Sequence, residues 1–218
     1  MIAMTMTAQG CSMLKQLNYL FLLCFLFSVP AYAQITAPDA LARSVTDEVL
    51  AVIRADKEIQ SGNQKKVLEL VEAKVLPHFS FPRMTQLAMG RNWRDANAEQ
   101  QKKLIGEFRT LLVRTYTTAF TQYKNQTVEY KPVRMAAGDT EVVVQSLIKQ
   151  NSGPPVAIDY NMEKTDSGWK VYNMKIEGIS LIENYRNSFN TEIQKNGMDG
   201  LINALADKNR SATQVTKK

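Results

Sequence analysis

Near Asn125 the apolar residues of this chain change their spacing, and that change limits the fold more than any other feature. Before it, Leu41, Val45, Val49, Val52 and Ile53 recur at three- and four-residue steps, and so do Val67, Leu68, Val71, Val75 and Leu76. Steps of that size put side chains on one side of an α-helix. After it, Val142, Val144, Ser146 and Ile148 fall on every second position. Val156, Ile158, Tyr160 and Met162 do the same, with Asp159, Asn161 and Glu163 between them. Alternation by two is the signature of a strand with one buried face.

The punctuation agrees with the periods. Pro38 opens the first helix, Gly62-Asn63 breaks it, and a short helix from Phe81 to Met89 is closed by Gly90. Asn97 followed three residues on by Gln100 reads as a reciprocal helix cap. Behind it Leu104, Phe108, Leu111, Leu112, Thr115, Ala119 and Tyr123 mark one long amphipathic helix. Four strands are expected over 127–135, 140–150, 156–164 and 169–177, joined by Gly138-Asp139, Gly153-Pro154-Pro155 and Asp166-Ser167-Gly168. Links this short allow only antiparallel pairing. Leu181, Ile182, Tyr185, Phe189 and Ile193 then resume the helical period as far as Gly197, and Asp199 is expected to cap a last helix carrying Leu201, Ile202 and Leu205. The expected class is α+β: a four-stranded or slightly larger twisted antiparallel meander with N- and C-terminal helices, in a single domain over 34–208. A polar, basic tail over 209–218 is expected to be disordered.

The run over 17–29 is almost wholly apolar, with Lys15 before it and Ala31-Tyr32-Ala33 behind it. It falls short of the roughly 20 residues a membrane-spanning helix needs, and its flanks match a secretory signal peptide. Cleavage after Ala33 and export to the periplasm are expected, with Met13 a plausible alternative start. Both cysteines, Cys11 and Cys24, would leave with this segment. Cys24 follows Phe21-Leu22-Leu23, with no small residue before it, so lipidation is not expected.

The remaining chain offers little for catalysis. It holds no thiol and one histidine, His78, in a break between helices, where a surface or capping role is expected. It shows no metal-ligand spacing, glycine-rich phosphate loop or serine elbow. Asp159 and Tyr160 could serve an isomerase-like site, yet alternation sends them to opposite faces. Lys plus Arg is 27 against 21 acids, a formal charge of +6. That excess suits an anionic partner without choosing one. The cations are scattered through Lys65-Lys66, Arg91, Arg94, Lys102-Lys103 and Arg109 with no stripe of stacking aromatics, so nucleic acid is not expected. Phe79, Phe81, Met84, Leu87, Phe108, Leu111, Phe120, Tyr130, Tyr160, Met162, Tyr172, Met174, Tyr185 and Phe189 could converge between sheet and helices. Pattern alone leaves open whether they fill a core or line a cavity. It also leaves open an exported isomerase- or hydrolase-like enzyme and an exported chaperone.

Several stretches narrow the choice by resemblance. Phe81-Pro82-Arg83-Met84-Thr85, Gly90-Arg91-Asn92-Trp93-Arg94 with Ala96 and Gln100, Phe108-Arg109, and Gly153-Pro154-Pro155-Val156 occur in that order. Trp169-Lys170-Val171-Tyr172, Glu177-Gly178-Ile179-Ser180-Leu181, Asn184-Tyr185-Arg186 and Gly197-Met198-Asp199-Gly200-Leu201 follow. This ordered set resembles the MlaC, or toluene-tolerance, family of periplasmic phospholipid-binding proteins. The resemblance implies a sheet and helices enclosing an acyl-chain cavity, and no catalytic group or resident cofactor, phospholipid being the cargo. It implies a monomeric shuttle between an outer-membrane lipoprotein complex and the substrate-binding ring of an inner-membrane ABC transporter, maintaining outer-membrane lipid asymmetry. On this reading the tails lie between Val142, Val144, Ile158, Tyr160, Met162, Tyr172 and Met174 of the sheet and Phe81, Met84, Leu111 and Phe120 of the helices. Arg91 or Arg94 would meet the phosphate at the mouth.

Overall fold

The computed structural model describes residues 36–215 apart from 122–125, 137 and 151–152. The expected signal peptide over 1–33, with Cys11 and Cys24, lies outside the described residues, and the chain from Ile35 onward forms one compact unit. Helix α1 spans Pro38–Ala55, with proline in its first turn, where the missing N–H costs no hydrogen bond. Asp56 ends it in extended conformation and caps α2 (Lys57–Gln60), accepting from the Glu58 and Ile59 amides. Asn63 caps α3 (Gln64–Lys74) by accepting from the Lys66 amide. A 3-10 turn over Leu76–His78 leads to α4 (Phe81–Met89), and a second over Gly90–Arg94 follows. Gly90, at φ 56°, makes the reversal between them, a backbone region that costs a side-chain-bearing residue energy. Helix α5 (Ala98–Thr121) begins with the expected reciprocal cap: the Gln100 amide donates to Asn97 Oδ1 at 2.9 Å and the Asn97 amide to Gln100 Oε1 at 3.1 Å.

The sheet has five strands in sequential antiparallel order: β1 (Thr127–Tyr130), β2 (Glu141–Lys149), β3 (Val156–Thr165), β4 (Gly168–Ile176) and the short β5 (Ile179–Ser180). β1 is shorter than the expected 127–135. Lys131 still donates to the Gln145 carbonyl, but Pro132 has no N–H to carry the ladder on. The register sets Val142 opposite Met162, Val144 opposite Tyr160 and Ser146 opposite Ile158, so the expected faces of β2 and β3 coincide. Between β3 and β4 the register slips at Asn161/Met162: Asn161 pairs with Asn173 and Met162 with Val171. Tyr172 is therefore a bulge residue, and regular alternation fails across it.

Helix α6 runs Leu181–Val215 and breaks at Gly197 (φ 72°, ψ −174°), where the sequence placed the boundary between its last two helices. Asp199, expected as a cap, accepts from Gln100 Nε2 at 2.9 Å and ties this break to the start of α5. Of the tail expected to be disordered over 209–218, the part as far as Val215 continues the helix, and 216–218 lie outside the described residues. Asn209 is buried, its Nδ2 donates to Glu107 Oε2 at 2.7 Å, and Arg114 donates to its carbonyl. A polar composition hid these contacts, which reach α5 about a hundred residues earlier in the chain.

Three apolar clusters follow. The largest joins α4, α5 and α6 around Phe108, whose ring meets those of Tyr185 and Phe189 edge-on with centroids 5.0 and 5.1 Å away. A second joins α1 to α3 through Val49, Ile53, Val67 and Val71. A third packs Val144, Met162, Trp169 and Val171 of the sheet against Leu41, Ala42 and Phe79.

Candidate functional site

The sheet's apolar face and the helices opposite it do not meet everywhere. Between them is a cavity of about 710 Å³, within the range of ligand pockets. One wall is the sheet: Val128 and Tyr130 of β1, Ile148 of β2, Val156, Ile158, Tyr160 and Met162 of β3, and Val171, Met174 and Ile176 of β4. The facing wall is α1, through Leu41, Ala42, Val45, Thr46, Val49, Leu50 and Ile53, with Val71 and Val75 behind it. Phe81 and Met84 of α4 and Leu112, Val113, Tyr116, Thr117 and Phe120 of α5 complete it. Among the lining residues there is no Asp, Glu, Lys or Arg, and the one basic side chain is His78. Burial against these apolar neighbours holds the His78 imidazole below its ordinary value, and the Lys170 ammonium pushes the same way while Glu48 opposes.

Seven of the eleven expected residues line this cavity: Phe81, Met84, Phe120, Ile158, Tyr160, Met162 and Met174. Four do not. Val142 and Val144 share the correct face but belong to the filled end, where Trp169, Val171 and Met162 pack and Val144 is fully enclosed. Leu111 turns toward α4 and α6 in the helical core, while its neighbours Leu112 and Val113 reach the cavity. Alternation would put Tyr172 beside Met174, but the bulge gives that place to Val171. Tyr172 instead lies beneath the Arg83 guanidinium, 3.7 Å from it, and donates to Glu141 Oε2 at 3.1 Å. Arg83 also pairs with Glu141 and Glu163, so α4 is bound to β2 and β3 by a charged cluster outside the cavity.

The α1 wall is what sequence reasoning missed. Its residues form an ordinary amphipathic stripe, and nothing in a stripe says that its partner face stands off. Arg91 and Arg94 stand apart from the apolar lining. They lie on the 3-10 turn after α4, and Arg91 lines a separate polar groove of about 370 Å³ with Gly90, Asn92, Arg186, Asn190 and Gln194. Neither arginine reaches the apolar cavity.

Gln126, Gln150, Tyr116 and Thr117 also line the cavity, and a group of hydroxyls joins its two walls. The Tyr130 hydroxyl pairs with Thr46 Oγ1 at 2.6 Å and donates to the Ala42 carbonyl at 3.1 Å, linking sheet to α1. Ser146, opposite Tyr130 in register, donates to the Ile158 carbonyl at 3.4 Å. The Tyr160 hydroxyl lies close to those of Ser146 and Tyr130. Burial pushes the phenols of Tyr130 and Tyr160 above their ordinary range, so both stay neutral and serve as hydrogen-bonding groups. Asp159 lies on the opposite face, accepting from Gln145 Nε2 at 3.0 Å, and cannot join Tyr160 in acid–base chemistry. Among the described residues no cluster of His, Cys, Asp and Glu could hold a metal ion, and no helix is long and apolar enough to cross a membrane.

Known proteins agree with this geometry. The family model described as MlaC protein matches residues 43–207. The intermembrane phospholipid transport system binding protein MlaC of Haemophilus influenzae is 24% identical, covering 84% of this chain and 87% of its own. The toluene tolerance protein ttg2D of Pseudomonas putida is 24% identical, covering 74% and 75%. A phospholipid-binding protein from Ralstonia solanacearum, solved in complex with a phospholipid, is 44% identical with a TM-score of 0.76. That match covers 82% of this chain and 99% of the solved one.

Proposed function

This chain belongs to the MlaC family, and from that premise we propose that it is a phospholipid carrier that encloses acyl tails in the cavity between the sheet and α1. The observation that carries the reading is the lining itself. It is mostly apolar along both walls, holds no Asp, Glu, Lys or Arg, and has the size of a ligand site. Two acyl chains of ordinary length, at about 0.8 kcal/mol per methylene, cost on the order of 20 kcal/mol to hold in water. A carrier removes that cost by burying the tails and leaves the charged headgroup in solvent. No bond is made or broken, so the protein needs neither a catalytic residue nor a resident cofactor, and the lipid is cargo.

On this reading the protein works in the periplasm as a monomer. It exchanges phospholipid with an outer-membrane lipoprotein complex and with the substrate-binding ring of an inner-membrane ABC transporter, and so maintains lipid asymmetry. The test is solvent extraction of the natively purified protein followed by mass spectrometry. Intact diacyl phospholipid near one per chain is the expected result. Hydrolysed lipid would replace the carrier with an enzyme. An empty chain that takes up none from vesicles would reduce the cavity to a packing defect.

A further inference from the structure

The hydroxyls of Thr46, Tyr130 and Tyr160 line the cavity and, with Ser146 beside them, form a polar cluster where the sheet meets α1. Placing hydroxyls against apolar surface is costly unless they are hydrogen-bonded, and a purely tail-binding surface has no use for three of them. Their protons are unevenly committed. Main-chain carbonyls of Ala42 and Ile158 accept from Tyr130 and Ser146. Thr46 is bonded to the Tyr130 hydroxyl and the Tyr160 hydroxyl lies beside those of Ser146 and Tyr130, and a hydroxyl proton rotates freely about its C–O bond. Turning one of those protons toward the cavity leaves no main-chain carbonyl unpaired.

A diacyl glycerolipid brings the matching need. Each tail joins the glycerol through an ester, whose carbonyl accepts hydrogen bonds and loses its water when the tails are enclosed. The cluster is formed by three adjacent strands and α1, with Tyr130 opposite Ser146 and Tyr160 opposite Val144, the neighbouring position on the same face. Apolar lining extends from it both toward Met162 and Val171 and toward Val128, Ile148 and Val156.

The geometry points to this cluster as a recognition site for acyl ester carbonyls, with Tyr160 and Thr46 as the donors. The site makes the carrier selective for ester-linked glycerolipids over equally apolar lipids that lack the carbonyl. This rests on the carrier reading above and adds a chemical preference that tail burial alone does not supply.

Delipidated protein is incubated with vesicles holding equal amounts of diacyl and dialkyl (ether-linked) phosphatidylcholine of matched chain length, and the captured lipids are counted by mass spectrometry. Wild type is expected to favour the ester lipid roughly three- to tenfold, the range of one net hydrogen bond. Tyr160→Phe removes one hydroxyl and no ring, and Thr46→Val removes another. In each the ratio of ester to ether lipid among the captured molecules is expected to fall toward one, whatever the total captured. A cluster that only ties α1 to the sheet would lower the stability of both variants and leave the ratio where wild type has it. Equal capture by wild type, or an unchanged ratio in both variants, overturns the ester site and leaves the carrier reading standing. Capture of neither lipid overturns both.

Discussion

The helical core around Phe108 and the cavity beneath the sheet are built from the same residue types at the same periods, yet one is filled and the other is hollow. In the core, α5 and α6 bring aromatic rings edge to face at 5.0 and 5.1 Å, and Leu104, Phe108 and Phe189 are fully or almost fully enclosed. In the cavity, α1 faces the sheet with Leu41, Ala42, Val45 and Val49, and a space of about 710 Å³ remains among them and Val128, Ile158 and Met174. A hydrophobic stripe states that a face avoids water; it does not state the distance to its partner. The length of the side chains and the position of the backbones decide whether burial ends in contact or in a cavity that a ligand can fill.

Truncation separates the two regions most sharply. Phe189→Ala removes a ring from the filled core, where neighbours cannot collapse into the space. It should cost about 3–5 kcal/mol, read as a lowered denaturation midpoint with an unchanged slope. A loss below about 1 kcal/mol would mean that the core is as loosely packed as the cavity.

Enlargement gives the next largest effect and sharpens the comparison within a single sheet face. Val144 and Ile158 sit on adjacent strands of that face, and their alternation treats them alike. Val144 is fully enclosed among Met162, Trp169 and Val171, whereas Ile158 lines the cavity. Val144→Phe should overpack its site and destabilise by about 1–3 kcal/mol. Ile158→Phe has room and should stay within about 1 kcal/mol of wild type, while the phospholipid recovered per chain falls severalfold. Equal destabilisation by the two substitutions would close the proposed cavity.

That pair also marks how far the sequence could be read. The period switch, the breaks at Gly62-Asn63 and Gly197, the cap at Asn97 and the shared faces of β2 and β3 were legible because each depends on neighbours close in the chain. What escaped depends on partners far away. The bulge that exchanges Tyr172 for Val171 is a mismatch between two strands and leaves no mark on either alone. Asn209 is ordered by Glu107 and Arg114 of a distant helix. The split of α5 into a core side with Leu111 and a cavity side with Leu112 and Phe120 depends on where α1 and α6 dock. The arginines after α4 carry a charge whose place the sequence does not give, and neither lines the apolar cavity.

The smallest effect concerns His78, which lies on the cavity side of the comparison. Its imidazole is held below its ordinary value of 6.5 first by burial, then by Lys170, with Glu48 opposing. The unfolded chain therefore takes up a proton near pH 6.5 while the folded chain still resists it. From that point down to the folded value the unfolded state binds more protons, so stability falls as pH falls, and above 6.5 the contribution is fully retained. His78→Gln should flatten this part of the curve without altering the carboxylate-driven loss at lower pH, measured as denaturation midpoints between about pH 7.5 and 5.5. Because the imidazole faces the cavity, enclosed tails remove more water from it. The difference between wild type and His78→Gln should then be larger with phospholipid bound than after delipidation. An identical difference in the two states would place the imidazole in solvent, beyond the reach of the cargo.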